Sequence, residues 1–382
     1  MRSGMTPFAG EFTLTRLERV ISGAGKASAV GDELTRRGLS RAVIVTGRTL
    51  GASSLLEGIK QSLGDRCAGV FTGVRQHVPS SSVDELVALA RSVNADCLVS
   101  FGGGSPIDTT KAAIHGLLVD VPASADPMIH ISIPTTLSAG EYTAVAGVTN
   151  ETTRVKHGVG DPRVCARTVI DDAMVTAQTP DWLWAATGMR ALDHAIESIY
   201  SIRHHPVSDA LGSEGIRRMM AHLPASVRTT GDERIEHRAQ CLMATWMCVF
   251  GMTNAGFGLS HAFGHQIGPR WDVPHGVTSC ITLPHAMRFM AELAPERFGP
   301  IAAALDVAFD PARPRDAALA CADRMAAFIA QFELPSRLRD AHVPREELDD
   351  VIGIVHEAMA RAHVVDRPVT RDELATVLAA AY

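Results

Sequence analysis

The sequence predicts an α/β domain with a parallel sheet, followed by an all-α domain. Between residues 41 and 172, apolar runs rich in β-branched residues alternate with amphipathic helical segments. This is the pattern of βαβ units, whose parallel sheet is covered on both faces. After Pro180 the apolar residues recur at helical spacing almost throughout. A chain of 382 residues is also longer than one core usually grows, so we predict two domains, 1–178 and 179–382.

The elements of the first domain can be placed in order along the chain. Residues 12–22 alternate in polarity and predict a hairpin or an edge strand, and a helical pattern follows to Arg37. Residues 143–155 predict an exposed hairpin or an irregular insertion. Further strands are predicted at 41–47, 67–74, 96–101, 128–136 and 167–172, with helices at 55–63 and 83–93. Breaks between the later helices are expected at Pro206, Pro224, Pro274, Pro284, Pro295, Pro335 and Pro344.

Composition excludes several classes of protein. The formal net charge of −6 argues against nucleic acid as a partner, because phosphate neutralisation requires a basic face. Residues 1–14 lack the apolar core of a signal peptide, which favours a cytoplasmic protein. The uncharged run at 241–260 is interrupted by polar residues and glycines, so it predicts a buried helix and no membrane span. The seven cysteines show no CxxC spacing, which argues against disulfides and zinc knuckles.

A glycine-rich turn predicts an anion site at the sheet edge. Gly102, Gly103, Gly104 and Ser105 follow an apolar strand and precede a helix that carries Asp108. Open parallel sheets bind ligands outside the carboxyl ends of their strands, and a helix N-terminus there favours phosphate. The spacing differs from GxGxxG. The alternative is a tight turn in which Ser105 is the N-cap, Pro106 the first helical residue and Asp108 part of a capping box.

Two other strand ends fit a nucleotide. Thr135 and Thr136 offer hydroxyl groups at the same edge. The first apolar strand ends in Gly47 and Arg48, where a nucleotide-binding sheet often carries an acid for the ribose hydroxyls. Without that acid the site need not reject a 2′-phosphate, with which Arg48 could pair. The alternative is that Arg48 is a solvated loop residue, so both NAD and NADP stay open as cofactors.

Three histidines stand close together in residues 258–276. His261 and His265 are four apart in an apolar helical segment, so their imidazoles should project from one face, and His275 follows Pro274 in a turn. Such a cluster suits a bound cation or a developing negative charge. The alternative is a set of hydrogen-bonded core residues.

The motifs together resemble those of the iron-containing alcohol dehydrogenase superfamily, with its maleylacetate reductases, glycerol dehydrogenases and dehydroquinate synthases. The resemblance covers nearly the whole chain and rests on FGGGSPIDTTKA, IPTTLSAGEYTA, TGMRALDHAIES, SHAFGH with PHG, and RPVTRDEL. The segment GVTNETTRVKHGVGDPRVCARTVIDD is closest to the maleylacetate reductases. The resemblance implies a dehydroquinate synthase-like fold, catalysis in the cleft between the domains, and usually a homodimer.

The resemblance also implies roles for individual residues. The turn at 102–105 would hold the pyrophosphate of the dinucleotide, and Lys156 would approach the nicotinamide side. Leu137 would line the cofactor together with Thr135 and Thr136. The metal of this superfamily would be bound by an Asp and a His four apart on one helix and by two later histidines. Three of these positions are present here, as His194, His261 and His275, while His265 matches a histidine near the substrate or nicotinamide.

The fourth metal position departs from the pattern, because Arg190 stands four residues before His194. A guanidinium has no lone pair and would repel a divalent cation. The maleylacetate reductases also lack that Asp and are regarded as metal-independent. We therefore expect that no metal is bound. If one is bound, we expect its ligands to be His194, His261 and His275.

This departure suggests a mechanism in which Arg190 replaces the metal as the electrophile, or clamps a substrate carboxylate. His265 and His275 would then relay the proton at their ordinary pKa, and His194 and His261 would complete the polar wall. The alternative for Arg190 is an ion pair with Asp193 or Glu197.

Four functions remain open at this point. The first is a nicotinamide-dependent reductase of a small, carboxylated carbonyl compound or enone. The second is a metal-dependent alcohol dehydrogenase. The third is a lyase that uses its nucleotide only transiently, and the fourth is a binding protein that has lost turnover.

Overall fold

The computed structural model describes residues 10–119, 121–153 and 156–382. Residues 1–9 lie outside the described residues, and they hold most of the segment used to predict that a signal peptide is lacking. The end of the predicted insertion, residues 154–155, also lies outside them.

Six parallel strands form the main sheet of the described residues, in the order β1-β8-β5-β4-β2-β3. Two more strands, β6 and β7, form a separate antiparallel pair. The strands are β1 (Arg19–Ser22), β2 (Ala42–Gly47), β3 (Cys67–Val74), β4 (Cys97–Gly102), β5 (Ile129–Pro134), β6 (Val145–Thr149), β7 (Lys156–Gly160) and β8 (Thr168–Asp171).

Helices cover the sheet and then make up the rest of the chain. Beside the sheet lie α1 (Val30–Arg37), α2 (Arg48–Gly51), α3 (Ser54–Leu63), α4 (Ser80–Ser92), α5 (Gly104–Leu117) and α6 (Ala173–Thr176). The helical part contains α7 (Asp181–Tyr200), α8 (Pro206–Arg228), α9 (Gly231–Val249), α10 (Met252–Ala255), α11 (Leu259–Trp271), α12 (His275–Leu293), α13 (Gly299–Ala304), α14 (Pro314–Ile329), α15 (Leu348–Ala362) and α16 (Arg371–Ala381).

The predicted fold class is confirmed, and its cause is the hydrophobic pattern. Strands β2 and β4 are buried along nearly their whole length, because apolar helices pack on both faces of the sheet. The N-terminal run supplies an edge strand, β1, and the predicted insertion is a hairpin. The division at 178 stays a prediction.

Two of the expected proline breaks are wrong. Pro224 lies inside α8 and Pro284 lies inside α12. A proline in a helix interior removes a hydrogen bond and costs about 3 kcal/mol. Burial of the flanking residues Leu223 and Leu283, both 0% exposed, offsets that cost.

No single helix of the described residues is long and apolar enough to cross a membrane. One pair of helical segments, 231–255 and 259–271, is long and apolar enough for a span when the two are taken together. The two segments are bent by 100° relative to each other.

Two acids lie buried behind the carboxyl edge of the sheet. Glu141 is fully buried, and neither of its carboxylate oxygens has a partner among the described residues. Burial raises the pKa of Glu141 to about 8, and the neighbouring Asp171 adds to the shift. Burial likewise raises the pKa of Asp171 to about 7, although the Tyr142 hydroxyl donates to this carboxylate over 2.8 Å. Both acids therefore favour their protonated forms in the folded protein.

The raised pKa of Glu141 predicts a loss of stability with rising pH. The folded state holds this proton more tightly than the unfolded state, so the stability is full below the ordinary pKa of 4.5 and is lost as pH rises to about 8. Glu141→Gln should raise the unfolding midpoint at pH 8 by about 2 °C or more and change it little at pH 4.5. Thermal scans across this range test it, with the exposed Glu57→Gln as control. A pH-independent difference would contradict the assignment.

Candidate active site

One face of α7 carries four buried ionisable side chains. Arg190, Asp193, His194 and Glu197 follow the spacing i, i+3, i+4, i+7, which places them on one stripe of a helix. Their exposed fractions are 4%, 0%, 6% and 1%. Charged groups with so little access to water must be paired, so their partners define the chemistry of this face.

Arg190 is held by its own helix and by α12. Its Nη1 donates to the Ser279 hydroxyl over 3.2 Å and lies 3.5 Å from Oδ2 of Asp193. The same carboxylate oxygen accepts from Ser279 over 2.6 Å and from Ser260 over 2.8 Å. Burial lowers the pKa of Arg190 to about 10, which still leaves the guanidinium charged at neutral pH. The ion pair with Asp193, one of the two alternatives from the sequence, is therefore present.

Glu197 anchors the first histidine of α11. Its Oε2 accepts from Nδ1 of His261 over 2.6 Å and from the Gly258 amide over 2.8 Å. Its Oε1 accepts from the Ser260 amide over 2.7 Å and from the Tyr200 hydroxyl over 3.2 Å. A Cβ at residue 258 would lie 2.6 Å from this carboxylate, so the close approach requires glycine.

His261 is the histidine of the cluster whose surroundings favour its protonated form. Burial and the nearby Arg190 act to lower its pKa, but Asp193 and Glu197 outweigh them and hold the pKa above the ordinary value. With His261 protonated, the two cations and two carboxylates sum to zero, which is what a buried group of this kind requires. Its Nε2 is buried and has no partner among the described residues.

The other three histidines follow from His261 toward the cleft. The ring of His194 lies 4.8 Å from that of His261, and its buried Nδ1 also lacks a partner in the described part of the chain. The ring of His265 lies 6.3 Å from His261 and stacks on His275 at 5.1 Å, with 7° between the planes. Phe257 packs against both His261 and His265.

The expectation that His265 and His275 keep their ordinary pKa is wrong. Burial, followed by the charge of Arg190, lowers the pKa of both groups well below 6.5. Burial and the charge on His261 do the same to His194. These three imidazoles are therefore neutral at pH 7, and His261 is the one of the four whose pKa is raised.

The residues present fit a divalent cation poorly. His194 and His261 do offer unpartnered nitrogens. However, Arg190 stands one turn from His194, and the raised pKa of His261 favours its protonated form. Asp193, Glu197 and His261 bring a possible set of ligand atoms within 4.8 Å of one another, but the Nδ1 proton of His261 already lies between that ring and Glu197. Any ion there would meet the fixed positive charge of Arg190.

The glycine-rich turn is shaped for a phosphate. Gly103, not Ser105, is the N-cap of α5, and no side chain caps the helix. The predicted capping role of Ser105 is therefore wrong, because the helix begins at Gly104 and leaves Ser105 inside the first turn. A Cβ at Gly103 would lie 2.9 Å from the methyl group and 3.1 Å from the hydroxyl of Thr136, so glycine lets the backbone approach this side chain closely. The free first-turn amides can then bind an anion.

Buried hydroxyls surround this turn without protein partners. Oγ1 of Thr46, Oγ1 of Thr136 and Oγ of Ser138 are all buried and unpartnered among the described residues. Buried polar atoms are normally satisfied, so a row of them at the carboxyl edge of the sheet fits a polar ligand such as a dinucleotide.

The remaining predicted cofactor residues occupy different environments. Thr135 is buried, and its carbonyl accepts from Thr179 over 2.7 Å. Leu137 is fully buried in the helical core, and its amide donates to the Thr187 hydroxyl of α7 over 3.1 Å. Gly47 ends β2 and Arg48 is exposed at the start of α2.

Lys156 and Asp108 lie on the sheet side of the cleft. Lys156 folds over Gly147, where a Cβ would lie 2.0 Å from its Cε. Burial lowers the pKa of Lys156 and Asp108 opposes that shift, while the charge of Lys156 in turn depresses the pKa of His265 and His275. The sheet domain therefore adds a cation beside the histidines.

Sequence reasoning missed the roles of Glu197 and Ser279 in this site. In the sequence analysis Glu197 was considered only as a possible ion-pair partner of Arg190. The available signal was the i, i+3, i+4, i+7 stripe on α7, which placed Glu197 on the same face as Arg190 and His194. Ser279 carried no comparable signal, because its contact with Arg190 depends on how α12 packs against α7.

Two sequence profiles match the chain. "Iron-containing alcohol dehydrogenase" matches residues 18–173, and "Fe-containing alcohol dehydrogenase family, C-terminal" matches residues 184–382. Maleylacetate reductase 2 of Cupriavidus pinatubonensis is 34% identical over 290 residues, 75% of this chain and 76% of that protein. The crystal structure of maleylacetate reductase from Agrobacterium tumefaciens is 28% identical, with a TM-score of 0.83 and 99% of each chain covered. An alcohol dehydrogenase from Oenococcus oeni gives 26% identity and a TM-score of 0.89, over 98% of this chain and 100% of that one.

The pairing of Glu197 with His261 predicts a pH-dependent stability. Because the pKa of His261 is raised, this contribution is full below pH 6.5 and is lost as pH rises through the folded-state pKa. Glu197→Gln should lower the free energy of unfolding by about 3 kcal/mol at pH 6 and by less at pH 9. Urea titrations at both pH values measure it.

The matched control is Glu214→Gln, which breaks a partly exposed pair with Arg217 and Arg218. It should cost no more than about 1 kcal/mol at either pH. Equal losses for Glu197→Gln at pH 6 and pH 9 would mean that His261 is neutral.

Proposed function

The chain belongs to the iron-containing alcohol dehydrogenase family and is an NAD(P)-dependent reductase; we propose that its substrate is a small carboxylated carbonyl compound or enone, as in the maleylacetate reductases. The observation that carries this proposal is the buried Arg190 at the head of the histidine cluster. It supports a site whose positive charge comes from a side chain.

The cofactor is held by residues of the sheet domain. The first-turn amides of α5, from Gly104 and Ser105, bind the pyrophosphate. The hydroxyls of Thr46, Thr136 and Ser138 supply further hydrogen bonds, and Arg48 is available to a 2′-phosphate. A reduced nicotinamide, when bound, supplies a hydride. The choice between NAD and NADP depends on whether Arg48 is engaged.

Arg190 stabilises the negative charge that develops on the substrate oxygen. A guanidinium has five N–H donors, and among the described residues Arg190 uses them in a single hydrogen bond, to Ser279. Asp193 holds the side chain in place, so the charge is oriented before the substrate arrives. Such preorganised donors in a water-poor site are usually the largest contribution to catalysis.

The proton comes from the histidines. Asp193 and Glu197 raise the pKa of His261, which favours a doubly protonated ring that donates from Nδ1 to Glu197 and carries the second proton on the unpartnered Nε2. The neutral His265 and His275 pass a proton onward by accepting at one ring nitrogen and donating from the other. Burial lowers the pKa of both rings most, and the charges of Arg190 and Lys156 lower it further.

The proposal also covers the oligomeric state of the protein and its cellular compartment. We infer a homodimer from the family, and light scattering of the purified protein tests it. A cytoplasmic location is supported by the seven cysteines, none of which forms a disulfide.

Removal of the guanidinium should abolish turnover. Arg190→Ala is expected to lower kcat by about a hundredfold or more and to change the NAD(P)H dissociation constant by less than about threefold, because the cofactor is held by the other domain. Arg190→Lys keeps the positive charge but loses the planar guanidinium group. Its kcat should therefore lie between those of the wild type and Arg190→Ala. Steady-state kinetics and quenching of nicotinamide fluorescence measure these effects. Turnover close to wild type in the Ala variant would refute the role of Arg190.

Metal analysis separates this proposal from a metal-dependent alcohol dehydrogenase. Protein purified without chelators is expected to hold far less than one iron or zinc per chain, and a chelator should leave kcat unchanged. The reason is the fixed positive charge of Arg190 beside the candidate ligands, together with the raised pKa of His261. Plasma emission spectrometry makes the measurement, and stoichiometric metal would overturn the metal-independent mechanism.

A further inference from the structure

We propose that Arg203 binds a carboxylate of the substrate and selects for anionic compounds. The inference rests on the proposed function, since it names the part of the same site that recognises the substrate. It starts from a cavity of about 300 Å³ that reaches His265, a size suited to a small metabolite.

The cavity has a polar end and an apolar wall. His265 lies at the catalytic end, and Phe257, Ala262 and Met359 form the apolar wall. Two guanidinium groups, those of Arg203 and Arg361, also line it, and the described lining residues include no acid. Such a cavity fits a short carbon chain with a reactive group at one end and an anionic group at the other.

Arg203 is free to bind a ligand. In the described part of the chain its guanidinium makes no hydrogen bond and no ion pair, although many arginines of this protein are paired with an acid. Arg361 differs, because its Nε donates to the Glu357 carbonyl over 3.2 Å and its Nη2 lies 3.5 Å from the Glu357 carboxylate. Of the two cations, Arg203 is therefore the one available to a carboxylate.

The backbone around Arg203 is fixed. The Ile202 amide donates to the Val364 carbonyl over 3.2 Å, and the Arg203 amide donates to the Ser201 hydroxyl over 3.2 Å. That hydroxyl donates in turn to the Ala255 carbonyl over 2.9 Å. The loop is thus tied to the turn before α11 and to the chain after α15, which form the two sides of the cavity.

Gly256 lies beside the guanidinium. It has a φ of +78°, where other residues are strained, and a Cβ there would lie 3.3 Å from Val364 and, in ordinary van der Waals contact, 3.6 Å from Nη1 of Arg203. Arg203 is exposed, and this proximity places its Nη1 next to the turn that leads to Phe257 and the histidines.

The test compares wild type with Arg203→Gln, Arg203→Lys and the control Arg361→Gln. The substrates are maleylacetate and its neutral dimethyl ester, in NADH-dependent steady-state kinetics. We expect Arg203→Gln to raise KM for the dianion by about tenfold, with KM for the ester and kcat for both substrates changed by less than about threefold. Arg203→Lys should recover part of the loss, and Arg361→Gln should lie within about threefold of wild type.

A binding measurement keeps this inference separate from the proposed function. Succinate, which cannot be reduced, is titrated into each NADH-loaded variant by calorimetry, and Arg203→Gln should weaken its binding about tenfold. If wild type reduces neither substrate, the proposed function fails, while the succinate titration still tests Arg203. The inference is overturned if KM rises equally for dianion and ester, or if succinate binds all four proteins equally or does not bind the wild type.

Discussion

The requirement that buried charges sum to zero governs the candidate active site. Arg190 is charged and His261 has a raised pKa although both are buried, and Asp193 and Glu197 compensate them. Each pair also ties helices together, because Asp193 reaches Ser279 on α12 and Glu197 accepts from amides at the start of α11. The same carboxylates therefore compensate the buried charges and hold the helices together, so a change in either the charges or the packing disturbs the other.

Helix α7 also connects this cluster to the cofactor edge of the sheet. The Thr187 hydroxyl, one turn before Arg190, accepts from the Leu137 amide. Leu137 itself packs into the helical core directly after the strand end that carries Thr135 and Thr136. One helix therefore links the segment that follows β5 to the buried charges of the candidate active site. This arrangement suits hydride transfer, which depends on a fixed distance between two bound molecules.

Local sequence rules predicted the fold well and the site in part. The apolar runs predicted the strands because a strand buried on both faces needs apolar residues along its whole length. Arg190 stood out in the sequence because the superfamily motif has an Asp at this position. The helix breaks predicted at Pro224 and Pro284 were wrong, because tertiary burial outweighs a lost helical hydrogen bond. The pairing of Glu197 with His261 joins residues on different helices, and no local pattern encodes it. The same holds for pKa shifts, which depend on burial and therefore on the whole fold.

The compensation between Arg190 and Asp193 constrains how such a site can evolve. If Arg190 alone were replaced by an acid, three carboxylates would share one buried stripe with only His261 to balance them. Such an intermediate would be unstable unless a cation entered at the same step. Conversely, loss of Asp193 alone would leave an unpaired buried guanidinium. The effect of a substitution at either position therefore depends on the residue at the other, so Arg190 and Asp193 are energetically coupled.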